Sequence, residues 1–380
     1  MNTPYCRPCE QAMTRYGKTS TGRQRYRCAG CRTSRVAAID TSAKDFALFL
    51  SFLFSRQRQR DLPGAGRTFR RRTARFWQLW PTPEVVDEVH RVIYVDGIHL
   101  GRSAVILIAS TDTHVVGWYL ARSEHSQAWG ALLARIAPPQ VVVTDGGSGF
   151  AKARRAHWPT TKVQRCTFHA FSQVRRQTTT RPRTQAGVEL YGLARALLHV
   201  RDNTGAAAWL AAYTQWRATW EAFLAERTRL ATGQVVLTHQ RLVTARSALD
   251  TLIRTKTLFT YVDPANFPVG AYLHMPLPAT NNRIEGGINT QLRALLRDHR
   301  GMSLDRRIKA IMWWCYMHTE YPASPAHILR TMPTDTQIQA YYRAAASRGE
   351  HARDIGLPGI GTAAVWNELH HSTSYITTWD

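Results

Sequence analysis

Two sets of residues in this sequence have the types and spacing to do chemistry. The first is four cysteines in two Cys-x-x-Cys pairs: Cys6 and Cys9 in "CRPC", Cys28 and Cys31 in "CAGC", with eighteen residues between the pairs. Two such knuckles can close one tetrahedral four-thiolate zinc site. A redox pair is the alternative reading. Residues 1–36 are too few to fold on an apolar core, so a bound metal would supply the folding energy. The second set is acidic. Asp96 interrupts the apolar run "VIYVDGIHL", and Asp145 closes "VVVTD" before Gly146-Gly147. A carboxylate buried in a strand is costly unless paired or bound to a cation. Asp145 alone could be a turn former, since Asp bonds its own backbone and Gly tolerates positive φ. The third acid is Glu285 in "NNRIEGGINTQ", on the helical face of Ile288, Leu292 and Leu295. Asn282 and Glu285 also fit a helix capping box. Asp298, Asp305 and Glu320 are weaker rivals for the same role.

The elements that must position these acids can be read from periodicity. Residues 43–80 read as two helices around a turn at "LPGAG" (Leu62 to Gly66). In the second, Phe69, Thr73, Phe76, Trp77 and Trp80 fall on one face and Arg70, Arg71 and Arg75 lie away from it, the pattern of a helix-turn-helix with a basic recognition helix. A solvated Arg face on a linker helix is the plainer reading. From Arg91, three closely spaced strands imply an antiparallel meander. A helix (126–137), a fourth strand ending at Asp145, a further helix and a strand near 161–166 follow. This is an α/β order with a mixed sheet, the order of the ribonuclease H fold. In that order the strands carrying Asp96 and Asp145 are neighbours. Their carboxylates would meet and repel, and a divalent cation resolves the repulsion and can organise phosphoryl transfer. Residues 167–260 carry helical periodicity. Trp209, Tyr213, Trp216, Trp220 and Phe223 form a stripe that reads as helix core or a dimer seam. Helices around 280–301 and 303–321 follow, then a weakly patterned tail.

Composition narrows the partners. The 380 residues hold 50 Lys and Arg against 26 Asp and Glu, a net charge of +24. Such an excess, mostly Arg, favours a polyanion, since Arg grips phosphate bidentately and stacks on bases. Arg-rich codon usage is the bland rival. Arg7, Arg15, Lys18, Arg23, Arg25, Arg27, Arg32 and Arg35 make the cysteine module itself basic. The longest apolar run, Phe46 to Phe54, is broken by Ser51 and falls far short of the ~20 residues of a spanning helix. The N-terminus has no apolar signal core. A soluble cytoplasmic protein associated with the nucleoid is expected, where a reducing medium favours metal over disulfides.

The segments "VIYVDGIHL", "VVVTDGGSGF", "QRCTFHAF", "NNRIEGGINTQLRALLRDHRG" and "RRIKAIMWWCYMHTE" resemble the DDE transposases of bacterial insertion-sequence family 256, in the Mutator superfamily, and the chain looks closest to the subgroup numbered 1249. The resemblance covers roughly residues 1–325, N-terminal ribbon included. It implies a zinc ribbon (1–36), a helix-turn-helix-like segment (43–80), a ribonuclease H-like core in two parts (90–170 and 279–321) split by an all-helical insertion (171–278), and a tail (322–380). It makes Asp96, Asp145 and Glu285 the catalytic triad, holding two Mg²⁺ ions for which Mn²⁺ can substitute. It places His169 of the Cys166-x-x-His169 signature near the scissile phosphate, and Arg70, Arg71, Arg72, Arg75 and Arg283 among the DNA contacts. It further implies terminal-repeat binding, strand cleavage and transfer on double-stranded DNA by a homodimer, and copy-out, paste-in transposition. The chain departs from the family in its helix-turn-helix, where residues 56–72 are unusually Arg-rich and poor in apolar residues. A ribonuclease H-like nuclease without strand transfer, and a catalytically idle DNA-binding derivative, are the rival readings.

Overall fold

A computed structural model of the chain describes residues 4–36, 40–62, 66–266, 276–347, 356–357 and 361–362. The centre of the "LPGAG" turn and most of the chain after 347 lie outside the described residues. The cysteine segment is two small sheets. Strands β1 (Tyr5–Cys6) and β2 (Gln11–Ala12) pair as a hairpin, and β3 (Thr14–Lys18), β4 (Gln24–Arg27) and β5 (Ser34–Val36) form an antiparallel sheet. Its buried apolar residues are Cys6, Met13, Tyr26 and Cys28 alone. So small a core cannot offset chain entropy, which leaves the cysteine cluster as the organising centre.

Helix α1 (Ser42–Leu53) buries Phe46, Phe49, Leu50 and Leu53, the i, i+3, i+4, i+7 stripe of an amphipathic helix. The expected second helix is shorter than its pattern suggests. Helix α2 (Arg67–Thr73) gives way to a 3₁₀ segment, Ala74–Gln78. The buried Thr73 hydroxyl bonds the carbonyl of Phe69 at 2.9 Å, a back-bond that bends helices. Phe76 and Trp80 are still buried and Trp77 half-buried, so the apolar face survives the change of pitch.

Five strands follow as a mixed sheet: β6 (Val92–Leu100), β7 (Ala104–Ser110), β8 (Val115–Ala121), β9 (Val141–Thr144) and β10 (Lys162–Arg165), in the order β10-β9-β6-β7-β8. β6 runs parallel to β9 and antiparallel to β7. Helix α3 (Ser126–Leu133) joins β8 to β9, and α4 (Ser148–His157) joins β9 to β10. Helices cover both faces, which is why β7 and β8 are buried end to end and read as unbroken apolar runs. Ile93 and Val95 point to the face covered by α3 and α4, while Tyr94 and Ile98 point to the other. Asp96 has the parity of Tyr94 and Ile98.

After β10 comes a helical unit with its own core: α5 (Thr167–Thr178), α6 (Gln185–Leu197), α7 (Asn203–Ala225) and, beyond a hairpin, α8 (Gln240–Arg254). The aromatic stripe on α7 belongs to that core. Trp209 Nε1 donates to Leu193 O at 2.8 Å and Trp216 Nε1 to Ala186 O at 3.0 Å. The unit is not wholly helical as expected. β11 (Arg227–Arg229) pairs with β12 (Val235–Leu237) around Gly233, whose φ of +82° suits glycine.

The chain then returns to the open face of the sheet. A π-helical turn, Arg283–Ile288, leads into α9 (Asn289–Asp298), followed by α10 (Leu304–Met317), α11 (Pro325–Thr331) and α12 (Asp335–Ser347). Two-residue strands β13 (Gly356–Leu357) and β14 (Gly361–Thr362) extend the β8 edge. The segment from 322 is thus not a detached tail: Ile328 and Ile338 sit in the core beneath the sheet.

A buried lysine ties these helices to the N-terminal pair. Lys309 is fully buried, and its Nζ reaches Trp77 O at 2.6 Å, Asp335 Oδ1 at 2.8 Å and Asp305 Oδ1 at 3.1 Å, 4.5 Å from the centre of the Trp80 ring. Three segments far apart in sequence meet on one charge. Lys309→Ala is expected to lower unfolding free energy by about 3–5 kcal/mol, the scale for breaking a buried pair. Urea denaturation measures it; a loss under about 1 kcal/mol would show that the two aspartates rehydrate freely.

Candidate active site and metal centres

The acid at the middle of the sheet is positioned by strand register. β6 and β9 pair Tyr94 with Val143, and the same offset carried two residues on sets Asp145 level with Asp96, on the same face. Gly146 follows with φ +90°, and the space a side chain would need there is filled by the Arg165 guanidinium. Glycine is therefore required twice over, for conformation and for room. Asp145 is thus a strand end as well as a turn: Thr144 Oγ1, not the acid, accepts the Gly146 N–H at 3.1 Å.

The third acid arrives from 140 residues away in sequence. Four bonds fix the incoming segment. Thr167 N–H donates to Ala279 O at 3.0 Å, Asn281 N–H to Cys166 Sγ at 3.3 Å, Asn281 Nδ2 to Val95 O at 3.1 Å, and Asn289 Nδ2 to Asp96 Oδ2 at 2.7 Å. Between Asn281 and Asn289 the helix widens into the π-helical turn that carries Glu285, Gly286 and Gly287. Such turns are rare and recur at functional sites. Asn282 is itself helical and its side chain makes no capping bond, so the capping-box reading of Asn282 and Glu285 does not describe this segment.

The electrostatics follow from crowding like charges in a poorly solvated place. Burial pushes Asp96 up to about 7, against the pull of the Gly97 N–H at 2.8 Å, and Asp145, Glu285 and Glu124 push the same way. Burial also raises Glu285, with Asp145 adding to it and the His169 ring opposing it. His169, on the first turn of α5, places Nδ1 3.3 Å from Glu285 Oε1, but neither atom is in hydrogen-bonding geometry with a partner. Asn281 Oδ1 and Asn289 Oδ1 are buried acceptors in the same state. The three carboxylates lie at one end of the sheet near enough to feel one another's charge, but their oxygens are not drawn together within 4.8 Å as those of a closed metal site would be. Asp96, Asp145 and Glu285 are the residues that would hold a divalent cation.

Two further groupings of donors occur. Cys166, His169 and Glu285 have ligand atoms within 4.8 Å of one another. Cys166 is buried and accepts the Asn281 N–H, and burial pushes its thiol up, away from the thiolate a metal needs. It acts here as a packing and hydrogen-bonding residue. Cys6, Cys9, Cys28 and Cys31 also lie within 4.8 Å of one another and can bind a structural metal such as zinc. Cys6 Sγ is 3.4 Å from Cys31 Sγ. The Thr33 hydroxyl and backbone pull the Cys31 thiol down to about 6, which favours its thiolate.

The basic residues separate into two kinds. Arg70 and Arg71 are exposed on α2. Arg72 bonds the buried Asp45, and Arg75 lies 3.9 Å from the same carboxylate and 3.0 Å from Ser42 Oγ. Both side chains stay about half exposed, at 45% and 53%, while they pair with this acid on α1. Arg283 is exposed beside Asp112 at 3.5 Å. Of the rival acids, Asp298 faces Arg56, Asp305 Lys309 and Glu320 His114, all away from the triad. Sequence reasoning missed Asn281, Asn289, Arg165 and Glu124. The one local signal for Glu124 was Gly97, a glycine inside a strand, against which the Glu124 carboxylate packs. Comparison with protein-family models gives no match, and comparison with curated proteins gives none.

Two outcomes test these centres. A raised Asp96 means that between about pH 4 and pH 7 the folded chain holds a proton the unfolded chain releases, so stability falls as pH rises through that window. Asp96→Asn removes the titration. In buffer free of divalent ions the variant should melt above wild type at about pH 8, and the two should converge near pH 4; a variant that melts lower at the higher pH contradicts the burial cost. Cys28→Ser should release about one zinc per chain and unfold the ribbon, leaving the main melting transition in place. Metal analysis with limited proteolysis of residues 4–36 reads both.

Proposed function

We propose that this chain is a DDE-type DNA transposase, cutting and joining DNA with Asp96, Asp145 and Glu285 around two Mg²⁺ ions. The observation that carries the reading is that these three acids come to one end of the sheet within reach of one another's charge, with Glu285 delivered by a π-helical turn across 140 residues. The strand order β10-β9-β6-β7-β8, with β7 antiparallel to the parallel set, supports a ribonuclease H-like core. The net charge of +24 supports a nucleic-acid partner. The resemblance to insertion-sequence family 256 supplies the choice of DNA ends as substrate.

The division of labour follows from the geometry. When bound, Mg²⁺ lowers the pKa of an attacking water or 3′-hydroxyl and neutralises charge on the scissile phosphate. Asp96, held by the Gly97 N–H and Asn289 Nδ2, would bind the metal from the strand, and Asp145 and Glu285 would bind it from a strand end and a helix. His169, 30% exposed and beside Glu285, is placed to accept or donate a proton at the phosphate or to steady Glu285. The buried Arg165 guanidinium lies under Gly146, where it and the Asp145 carboxylate attract each other.

Asp96→Asn and Glu285→Gln should each lower nicking of DNA carrying the element's ends by about three orders of magnitude, the scale of several kcal/mol of lost charge stabilisation. Gel-shift affinity in the absence of Mg²⁺ should change little, because neither residue is a cation. Wild-type nicking by either variant removes it from the triad. Cleavage without joined products in wild type would assign the chain to the nucleases instead.

A further inference from the structure

The first turn of α5 sets an exposed ring beside the candidate active site. Thr167 and Ala170 are buried and His169 is half-buried, but Phe168 among them is 46% exposed. A single exposed apolar side chain is ordinary on a protein surface. The position of this one is not. His169, the next residue, sets its Nδ1 3.3 Å from Glu285 Oε1, and the Phe168 and His169 ring centroids are 6.2 Å apart. Among the described exposed Phe and Tyr side chains, Phe168 alone makes a ring contact with a residue of the candidate site.

Phe168 meets the His169 ring at 85° and the Phe171 ring at 49°, with centroids 6.2 Å apart in both cases. Neither neighbour lies flat on it, so no described ring of the protein takes a stacking position there. Phe171 is itself buried, 6.0 Å from the Tyr191 ring, and anchors the exposed ring on the core of the helical unit. Seven residues on, two helical turns and about 10 Å along α5, Arg175 falls near the same stripe. It is exposed, and its guanidinium lies 5.4 Å from the centre of the Phe171 ring. The helix therefore presents an aromatic plane at the acid site and a cation beyond it. Proteins hold single-stranded nucleic acid with this pair, the ring taking a base and the cation the backbone.

We propose that Phe168 is the stacking platform for an unpaired nucleobase of the DNA strand held at Asp96, Asp145 and Glu285, with Arg175 gripping the backbone of the same strand. The choice of DNA rests on the reading of the acids given above. A duplex hides its base faces, so a base must leave the stack before it can lie on Phe168, and this costs least where the base is mismatched or already single-stranded. Stacking reads no base edge, which makes the platform tolerant of sequence. A base fixed there keeps the neighbouring phosphate from sliding past the acids, and holding a reacting group in place is worth much of a barrier.

The test measures binding by the full chain, without divalent ions, of a mixed-sequence single strand about ten nucleotides long and of a blunt duplex of the same sequence. Raised salt weakens the phosphate contacts of a +24 chain and leaves stacking in view. Phe168→Ala should weaken single-strand binding roughly 5–150-fold, the range for one lost base stack, without changing its salt dependence. Arg175→Ala should instead flatten the slope of log K against log salt by about 0.7. Phe168→Trp should retain the affinity. Phe168→Leu should lose it as Ala does, since leucine packs on Phe171 but offers no π face. Strands with iodouracil in place of thymine, irradiated on the wild-type protein, should cross-link to the α5 peptide that holds Phe168. Wild-type single-strand affinity in Phe168→Ala or Phe168→Leu, an equal loss on the blunt duplex, or cross-links confined to other peptides overturns the platform. Loss in Phe168→Ala by a chain that never nicks DNA keeps the platform and removes the transposase reading; nicking with an indifferent Phe168 does the reverse.

Discussion

The carboxylate of Asp96 is the constraint around which the rest of the fold is arranged. It sits on a central strand with helices on both faces, half-buried and poorly solvated. Burying such a charge is expensive unless it is hydrogen-bonded, paired or bound to metal. Among the described residues two donors reach it, the Gly97 N–H and Asn289 Nδ2, while Asp145 and Glu285 come close enough to raise its proton affinity further. A fold that merely sought stability would not gather three acids there. The arrangement is costly by itself, and the proposed cation would offset that cost.

Keeping such an arrangement requires stiff surroundings. The residue that joins the parts is Gln164 on β10: its Nε2 donates to Leu258 O at 3.1 Å, and its Oε1 accepts the Tyr261 N–H at 3.1 Å. The helical unit is thereby bonded to the sheet at its exit, and Asn281 bonds the returning chain to β6. Glu285 is thus held from both sides of a long excursion. Lys309 does the equivalent for the helices packed under that face of the sheet, joining α10, α12 and the segment after α2.

The positive charge is distributed differently from the acids. Part of it is neutralised internally, as when Asp45 captures Arg72 and Arg75, and part is enclosed, as Arg165 is beneath Gly146. Arg70 and Arg71 stay exposed, as do most basic residues of the ribbon. An excess of +24 bears on solubility and association rather than on the fold, since exposed cations act at a distance that pairs of opposite charge do not. No helix among the described residues is long and apolar enough to cross a membrane.

What the sequence determined by itself was everything governed by short-range periodicity or fixed spacing. Alternation and apolar runs of strand length marked β6 to β9, the 3.6-residue stripe marked α1 and α7, and two Cys-x-x-Cys pairs marked the one cluster of four thiols among the described residues. Asp96 was legible because an acid breaks an apolar strand. The tertiary structure alone decided what depends on contacts between distant segments. Glu285 fitted a capping box on local evidence, and only its widened turn and its nearness to His169 and Asp145 separate the two readings. Asn281, Asn289 and Arg165 carry no local signal, because their roles are bonds and packing across more than a hundred residues or across neighbouring strands. Arg72 and Arg75 are exposed as their pattern implies, but only the packing of α1 shows that both also pair with Asp45, and the segment after 322 looked like a tail until Asp335 met Lys309. Periodicity reports which face a residue takes within its own element; which partner that face meets is set by how the elements pack.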